Sequence, residues 1–346
     1  MKHSHKWLVV AIAATFTILA AACSDVSNNP GSGGGGSPGA AGVPDNSGTT
    51  ITLAVNGWVG AEANANLAAD LLRDKLGYTV DLVKIDEFEQ FPALQSGDID
   101  ATLEVWPSVH PKDYKQYIQS NNGVVDAGLL GVTGQIGWWI PTYMLSDHPE
   151  FATWEGLKGN ESLFATSETG SQGQFVDADP SFGSYDEAIA KNLGLNFKVV
   201  YAGSEAAELT ALDAAYQKQA PFIFYFWTPH WVHSKFDLTQ VELPALTPAC
   251  EQAAATDPSQ YACAYAPDPL YKAFNADLQT KAPAAFAFLT ALNWTNDDQN
   301  GVALDINDGV DGAAAAQKWI DANPTVWQPW VDAGLAAQAC VHRTQR

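Results

Sequence analysis

Apolar and polar positions recur along most of the chain with two alternating periods. Thr50-Ile51-Thr52-Leu53-Ala54-Val55 is a β-type run that ends at Asn56-Gly57-Trp58. Leu67, Leu71, Leu72 and Leu76 then recur at helical spacing, predicting a helix over 61–76 closed by Gly77. A strand over 80–85, a short helix over 88–95 stopped at Ser96-Gly97, and a strand over 99–106 stopped by Pro107 follow. Further along, 163–166, 198–201 and 222–227 read as strands, and 185–193 and 205–217 as helices. Strands alternating with helices predict an α/β fold with parallel sheets. The last hundred residues read as mostly helical, most clearly over 282–292 and 313–321.

The first 48 residues fit neither period. Lys2 and Lys6 flank the start of an apolar and small-residue run over 7–22 that ends in Leu19-Ala20-Ala21-Ala22-Cys23. That arrangement describes a secretory signal over 1–22, and its 16-residue run is shorter than the ~20 a spanning helix needs. A Cys directly after small residues resembles a bacterial lipobox, with Cys23 as the lipid-modified first residue of the mature chain. Residues 23–48 are almost all Ser, Asn, Gly, Pro and Ala and read as a flexible linker. The expected location is extracytoplasmic, lipid-anchored to the bacterial membrane.

Charge narrows the partners. Seventeen basic against 39 acidic residues give −22, which excludes a nucleic-acid partner, because phosphate binding needs clustered Lys and Arg. Removing 1–22 takes away two Lys and no acid, leaving −24, so the tie to an anionic membrane has to be covalent. Export permits disulfides. Cys250 and Cys263 bracket a polar loop whose closure is worth roughly 3 kcal/mol in the chain-entropy model; with Cys23 given to lipid, Cys340 is left unpaired. No Cys-x-x-Cys motif occurs, and neither a metal nor a cofactor is expected.

The chain holds 12 Trp but only three Arg, namely Arg73, Arg343 and Arg346. Trp58, Trp106 and Trp227 each stand at a predicted strand end, where ligands bind in open α/β sheets. One such Trp is ordinary hydrophobic filler; three together point to a pocket. Asp179-Pro180-Ser181-Phe182-Gly183-Ser184 precedes the helix from 185, so Gly183 and Ser184 fall where backbone N–H groups are free and Ser can cap. Such a helix start can hold a carboxylate without Arg, and His110, four residues past Trp106, adds a donor. A quaternary ammonium has no N–H and is held by aromatic faces, at roughly 0.5–2 kcal/mol each. The ligand implied is a small zwitterion with a methylated ammonium.

The segment from Pro221 through Trp227-Thr228-Pro229-His230-Trp231 to Val232 resembles the signature of glycine betaine-binding proteins of ABC importers. Leu76–Val80, Leu94-Gln95-Ser96-Gly97-Asp98, the Trp106/His110 pair, and Trp319-Ile320-Asp321 through Trp330-Val331 are similar to further family elements. The resemblance spans about residues 50 to 335. It implies a two-lobed periplasmic-binding fold of type II character with the ligand cleft between lobes: 49–139 as the first part of lobe I, 140–245 as lobe II, and 246–346 as the return to lobe I. It also implies Trp106 and Trp227 as cage walls, His110 as a carboxylate donor, and Phe182 where the family places a Trp. Trp58 has no family counterpart. Trp138 and Trp139 fall where the chain crosses between lobes, and a monomer serving an ABC permease is expected. Glycine betaine is the first candidate ligand; choline, carnitine and proline betaine are alternatives.

Rival readings fare worse. An amino-acid-binding protein clamps the α-carboxylate with Arg, and none of the three Arg is near these motifs. A secreted hydrolase lacks a Gly-x-Ser-x-Gly elbow. His230 and His233 beside Asp237 are at i, i+3, not the i, i+4 spacing of zinc helices, and Asp305-Ile306-Asn307-Asp308-Gly309 brings its Gly one place early for an EF-hand. No catalytic constellation is present.

Overall fold

The computed structural model describes residues 43–344; the predicted signal segment, Cys23 and most of the linker lie outside the described residues. Strands β1 (Asn46–Val55), β2 (Tyr78–Lys84), β3 (Ala101–Val105), β4 (Val124–Pro141), β5 (Gly173–Asp177), β6 (Phe197–Tyr201), β7 (Phe224–Thr228), β8 (Leu238–Val241) and β9 (Pro267–Asn275) form one mixed sheet. Its order is β2-β1-β3-β9-β4-β7-β5-β6, with β8 paired to β4. On one side β1 runs parallel to β2 and β3; on the other β5 runs parallel to β6 and β7. Helices Val59–Asp74, Glu87–Ser96, Asp186–Leu193 and Glu205–Lys218 make the crossovers, as the apolar periodicity requires. Helix Val59–Asp74 buries Leu67, Leu71 and Leu72 completely.

The expected parallel pairing holds within each half, and β4 adds antiparallel pairing between them. This 18-residue strand runs antiparallel to β9 over 124–135, to β7 over 135–139 and to β8 over 138–141, and so joins the two parallel halves. Its sequence hides it. Gly128, Gly131, Gly134 and Gly137 interrupt the apolar run every three residues and read as breaks. The strand expected over 163–166 is a short 3-10 turn, Glu161–Phe164, which buries Phe164 against Phe151 and Phe197. The place between β6 and β7 goes to β5, a strand the apolar pattern did not single out.

Toward the C-terminus, helices Pro283–Ala291, Asn296–Asn307, Gly312–Ala322 and Pro324–Thr344 pack around Trp294, Trp319, Trp327 and Trp330, each at most 8% exposed. Trp319 meets Trp294 edge-on at 5.4 Å and stacks on Trp330 at 6.2 Å, so these indoles are core. Cys250 and Cys263 are joined by a disulfide. Cys340 is not free either, which corrects the expectation that it stands unpaired. Among the described residues no helix is long and apolar enough to cross a membrane.

Candidate functional site

Strand ends and two loops converge on one cavity. Trp58 follows β1, Trp106 follows β3, Tyr225 and Trp227 come from β7, and Phe182 comes from the loop after β5; Glu87, Val109 and Ile136 complete the lining. The rings of Trp58, Trp106, Trp227 and Phe182 are only 5–6% exposed, so the cavity is shielded from bulk water. Phe182 is the keystone: its ring stands edge-on to Trp58 at 5.3 Å and to Trp227 at 5.8 Å.

Glu104 fixes two of the walls. Its Oε1 accepts from Trp58 Nε1 at 2.7 Å and from Trp106 Nε1 at 3.0 Å. Its Oε2 accepts from the amides of Asn64 and Gln299, and Asn64 in turn accepts from Trp294 Nε1. Burial disfavours the charge and these donors favour it; burial wins, and the carboxyl is pushed from 4.5 up to about 7. A second support is Gly134 on β4. A Cβ there would lie 2.2 Å from the Trp106 ring, so only glycine lets this strand pass behind the indole.

His110 is placed differently from the sequence expectation. Its Nε2 lies 2.9 Å from Glu87 Oε2, both side chains fully buried, and the cavity wall is Glu87, with the imidazole behind it. Burial opposes a charge on His110, but Glu87 and Asp113 outweigh it and raise the imidazole from 6.5 to about 10. The ring therefore answers to the protein's own carboxylate. Ser184 is likewise committed: its hydroxyl donates to Asp177 Oδ2 at 2.7 Å, while the helix begins at Tyr185 with no side-chain cap. The expected Ser184 cap is thus corrected, because a buried carboxylate competes better for the hydroxyl than a backbone amide does. Gly183 has φ +70° and abuts His110.

His230, His233, Trp138 and Trp139 have structural partners. His230 Nδ1 accepts from Val232 N–H, and its Nε2 faces Glu205 at 3.2 Å. The other oxygen of Glu205 accepts from Val59 N–H, at the start of helix Val59–Asp74. His233 Nε2 faces the Trp227 carbonyl at 2.9 Å. On β4, Trp138 donates to Asp186 and Trp139 to the Phe226 carbonyl. Sequence reasoning missed Glu87, Glu104 and Tyr225. Two of these had a signal: Glu104 and Tyr225 stand two residues before Trp106 and Trp227, on the same strand face.

Strand-end aromatics around a closed cavity, on two parallel half-sheets joined by a shared strand, define a two-lobed solute-binding protein. Residues 49–322 match the family described as the substrate binding domain of ABC-type glycine betaine transport systems, OpuAC, and the chain belongs to that family. It is an extracytoplasmic transport binding protein, not an enzyme. The chain is 32% identical over 129 residues to the glycine betaine/carnitine transport binding protein GbuC of Listeria monocytogenes, covering 37% of this chain and 38% of that protein. The match thus spans well under half of that relative's length. It is 24% identical over 291 residues to the trimethylamine N-oxide-binding protein of Pelagibacter ubique, covering 81% and 90%. Among solved structures, lactococcal OpuAC, closed and complexed with glycine betaine, gives a TM-score of 0.64 at 21% identity, covering 82% of this chain and 99% of that one. An ABC-transporter choline-binding protein in complex with choline gives 0.66 at 20%, covering 84% and 97%. Both share the two-lobed fold.

Proposed function

We propose that the cavity captures a small methylated quaternary ammonium solute and that the loaded protein delivers it to the permease of an ABC importer. The observation that carries this reading is the closed ring of Trp58, Trp106, Phe182 and Trp227 around one cavity with no Arg in its lining. Each face contributes roughly 0.5–2 kcal/mol toward a desolvated cation. Residues 49–139 and 246–346 form one lobe and 140–245 the other, and closure brings Trp106 against Trp227 and Phe182. Glycine betaine, choline, carnitine and proline betaine are the candidate solutes. The monomeric protein is held at the membrane by lipid on Cys23.

Calorimetry of the purified protein against glycine betaine, choline, carnitine, proline and glycine tests the cage. Binding of a methylated ammonium is expected; tight binding of glycine or proline alone would refute it. Trp227→Ala should weaken binding by about tenfold or more, and near-wild-type affinity would mean the pocket lies elsewhere. Mass spectrometry of the membrane-fraction protein tests the anchor, which an unmodified Cys23 would rule out.

A further inference from the structure

The part of the cavity expected to receive a ligand carboxylate already holds one. Glu87, 2% exposed, lines the wall beside Trp106, Val109 and Phe182. Its Oε2 sits 2.9 Å from His110 Nε2, while its Oε1 has no hydrogen-bond partner and is out of reach of solvent. His110, the donor expected to meet a ligand carboxylate, stands behind Glu87 and abuts the Phe182–Gly183 loop, where a Cβ on Gly183 would lie 3.3 Å from the imidazole. The surroundings are acidic. Asp113 lies 3.9 Å from His110 Nδ1, and Asp268, almost fully buried, is close enough to interact electrostatically with both Glu87 and His110. One imidazolium thus faces three carboxyl groups.

A buried carboxylate oxygen without a donor is costly unless something brings one. A ligand carboxylate at this end would instead meet a like charge in a low-dielectric wall. A cation bearing a hydroxyl resolves both problems, because its ammonium offsets the excess acid and its O–H can reach Oε1. We propose that Glu87 is the specificity-determining residue of the cavity. It selects a cationic quaternary ammonium alcohol, whose O–H is donated to Glu87 Oε1, over a zwitterion that ends in a carboxylate. This rests on the aromatic-cage reading and narrows it.

The test compares three probes of similar size by calorimetry: choline, ethyltrimethylammonium, which lacks the hydroxyl, and glycine betaine. Wild-type protein should bind choline about tenfold or more tighter than either of the others. In Glu87→Gln the preference of choline over glycine betaine should shrink by about tenfold, because the like charge is gone. The wild-type ratios stand even if that variant folds poorly. Glycine betaine binding as tightly as choline, or equal affinity for choline and ethyltrimethylammonium, would overturn the role of Glu87 while leaving the cage intact. Failure of all three probes to bind would instead overturn the cage itself.

Discussion

Gly134→Ala should damage the cage without replacing any residue that lines it. The added Cβ would lie 2.2 Å from Cη2 and Cζ3 of Trp106, where ordinary contacts are 3.4–4 Å. The indole must therefore move by more than about 1 Å, or β4 must bend. Free retreat is barred, since Trp106 Nε1 is tied to Glu104. Overpacking of this kind costs about 1–3 kcal/mol, against which alanine's advantage over glycine in a strand returns only about 0.5–1 kcal/mol. Displacing one cage face should also remove most of its contribution to the cation, an affinity loss of about tenfold. Urea unfolding gives the stability change and calorimetry the affinity. A double-mutant cycle isolates the cause: in a Trp106→Phe background the smaller ring leaves room, and the stability effect of Gly134→Ala should fall by about 1 kcal/mol or more. Affinity within twofold of wild type, with no coupling between the two sites, would falsify the steric account.

Glu104→Ala leaves four buried donors without an acceptor and should lower stability by about 4 kcal/mol or more; a loss below about 1 kcal/mol in urea titrations would mean the carboxylate is not what holds the two indoles. Stability should also fall as pH rises from about 4 to about 7. Glu104 is raised from 4.5 to about 7, Asp268 from 3.8 to about 7 and Asp177 from 3.8 to about 6, mainly by burial. The folded state therefore holds protons that the unfolded chain releases across that window, and Glu104 alone contributes on the order of 3 kcal/mol. His110, raised to about 10, loses its contribution only above 6.5 and acts in the same direction. Urea midpoints should be higher near pH 5 than near pH 7.5, and the reverse order would contradict the burial of these acids. Replacing Cys250 and Cys263 by Ala should lower stability by about 3 kcal/mol while leaving solute affinity within about twofold, because the bridged residues lie outside the cavity lining; a large affinity loss would show that the loop shapes the site.

Local periodicity carried much of the fold. The crossover helices and most of the parallel strands stand close to where apolar spacing puts them, because each must bury one face on the sheet. The strands β4 and β9 were not legible. Glycines in β4 serve the passage of Trp106 and neighbouring side chains, a long-range requirement that looks locally like a break. The same limit applied at the site. Trp58, Trp106, Phe182 and Trp227 were legible as large rings in strand-end and helix-start contexts, and the structure brings them around one cavity. The roles of His110 and Ser184 were not, because they depend on Glu87 and Asp177, acids outside the motifs that singled them out, which take up their polar atoms first.

The bonding of both indoles to one carboxylate has a consequence for how binding is timed. Trp58 and Trp106 cannot turn independently while Glu104 holds them, so their rotamer freedom is surrendered at folding and not at capture. For two large side chains that avoids on the order of 0.5–1.5 kcal/mol each when the solute arrives. Preorganisation of this kind leaves differences among solutes to the walls that Glu104 does not hold. Changes in specificity would then be expected at Phe182, Tyr225 and Glu87, with the paired indoles kept as a fixed frame.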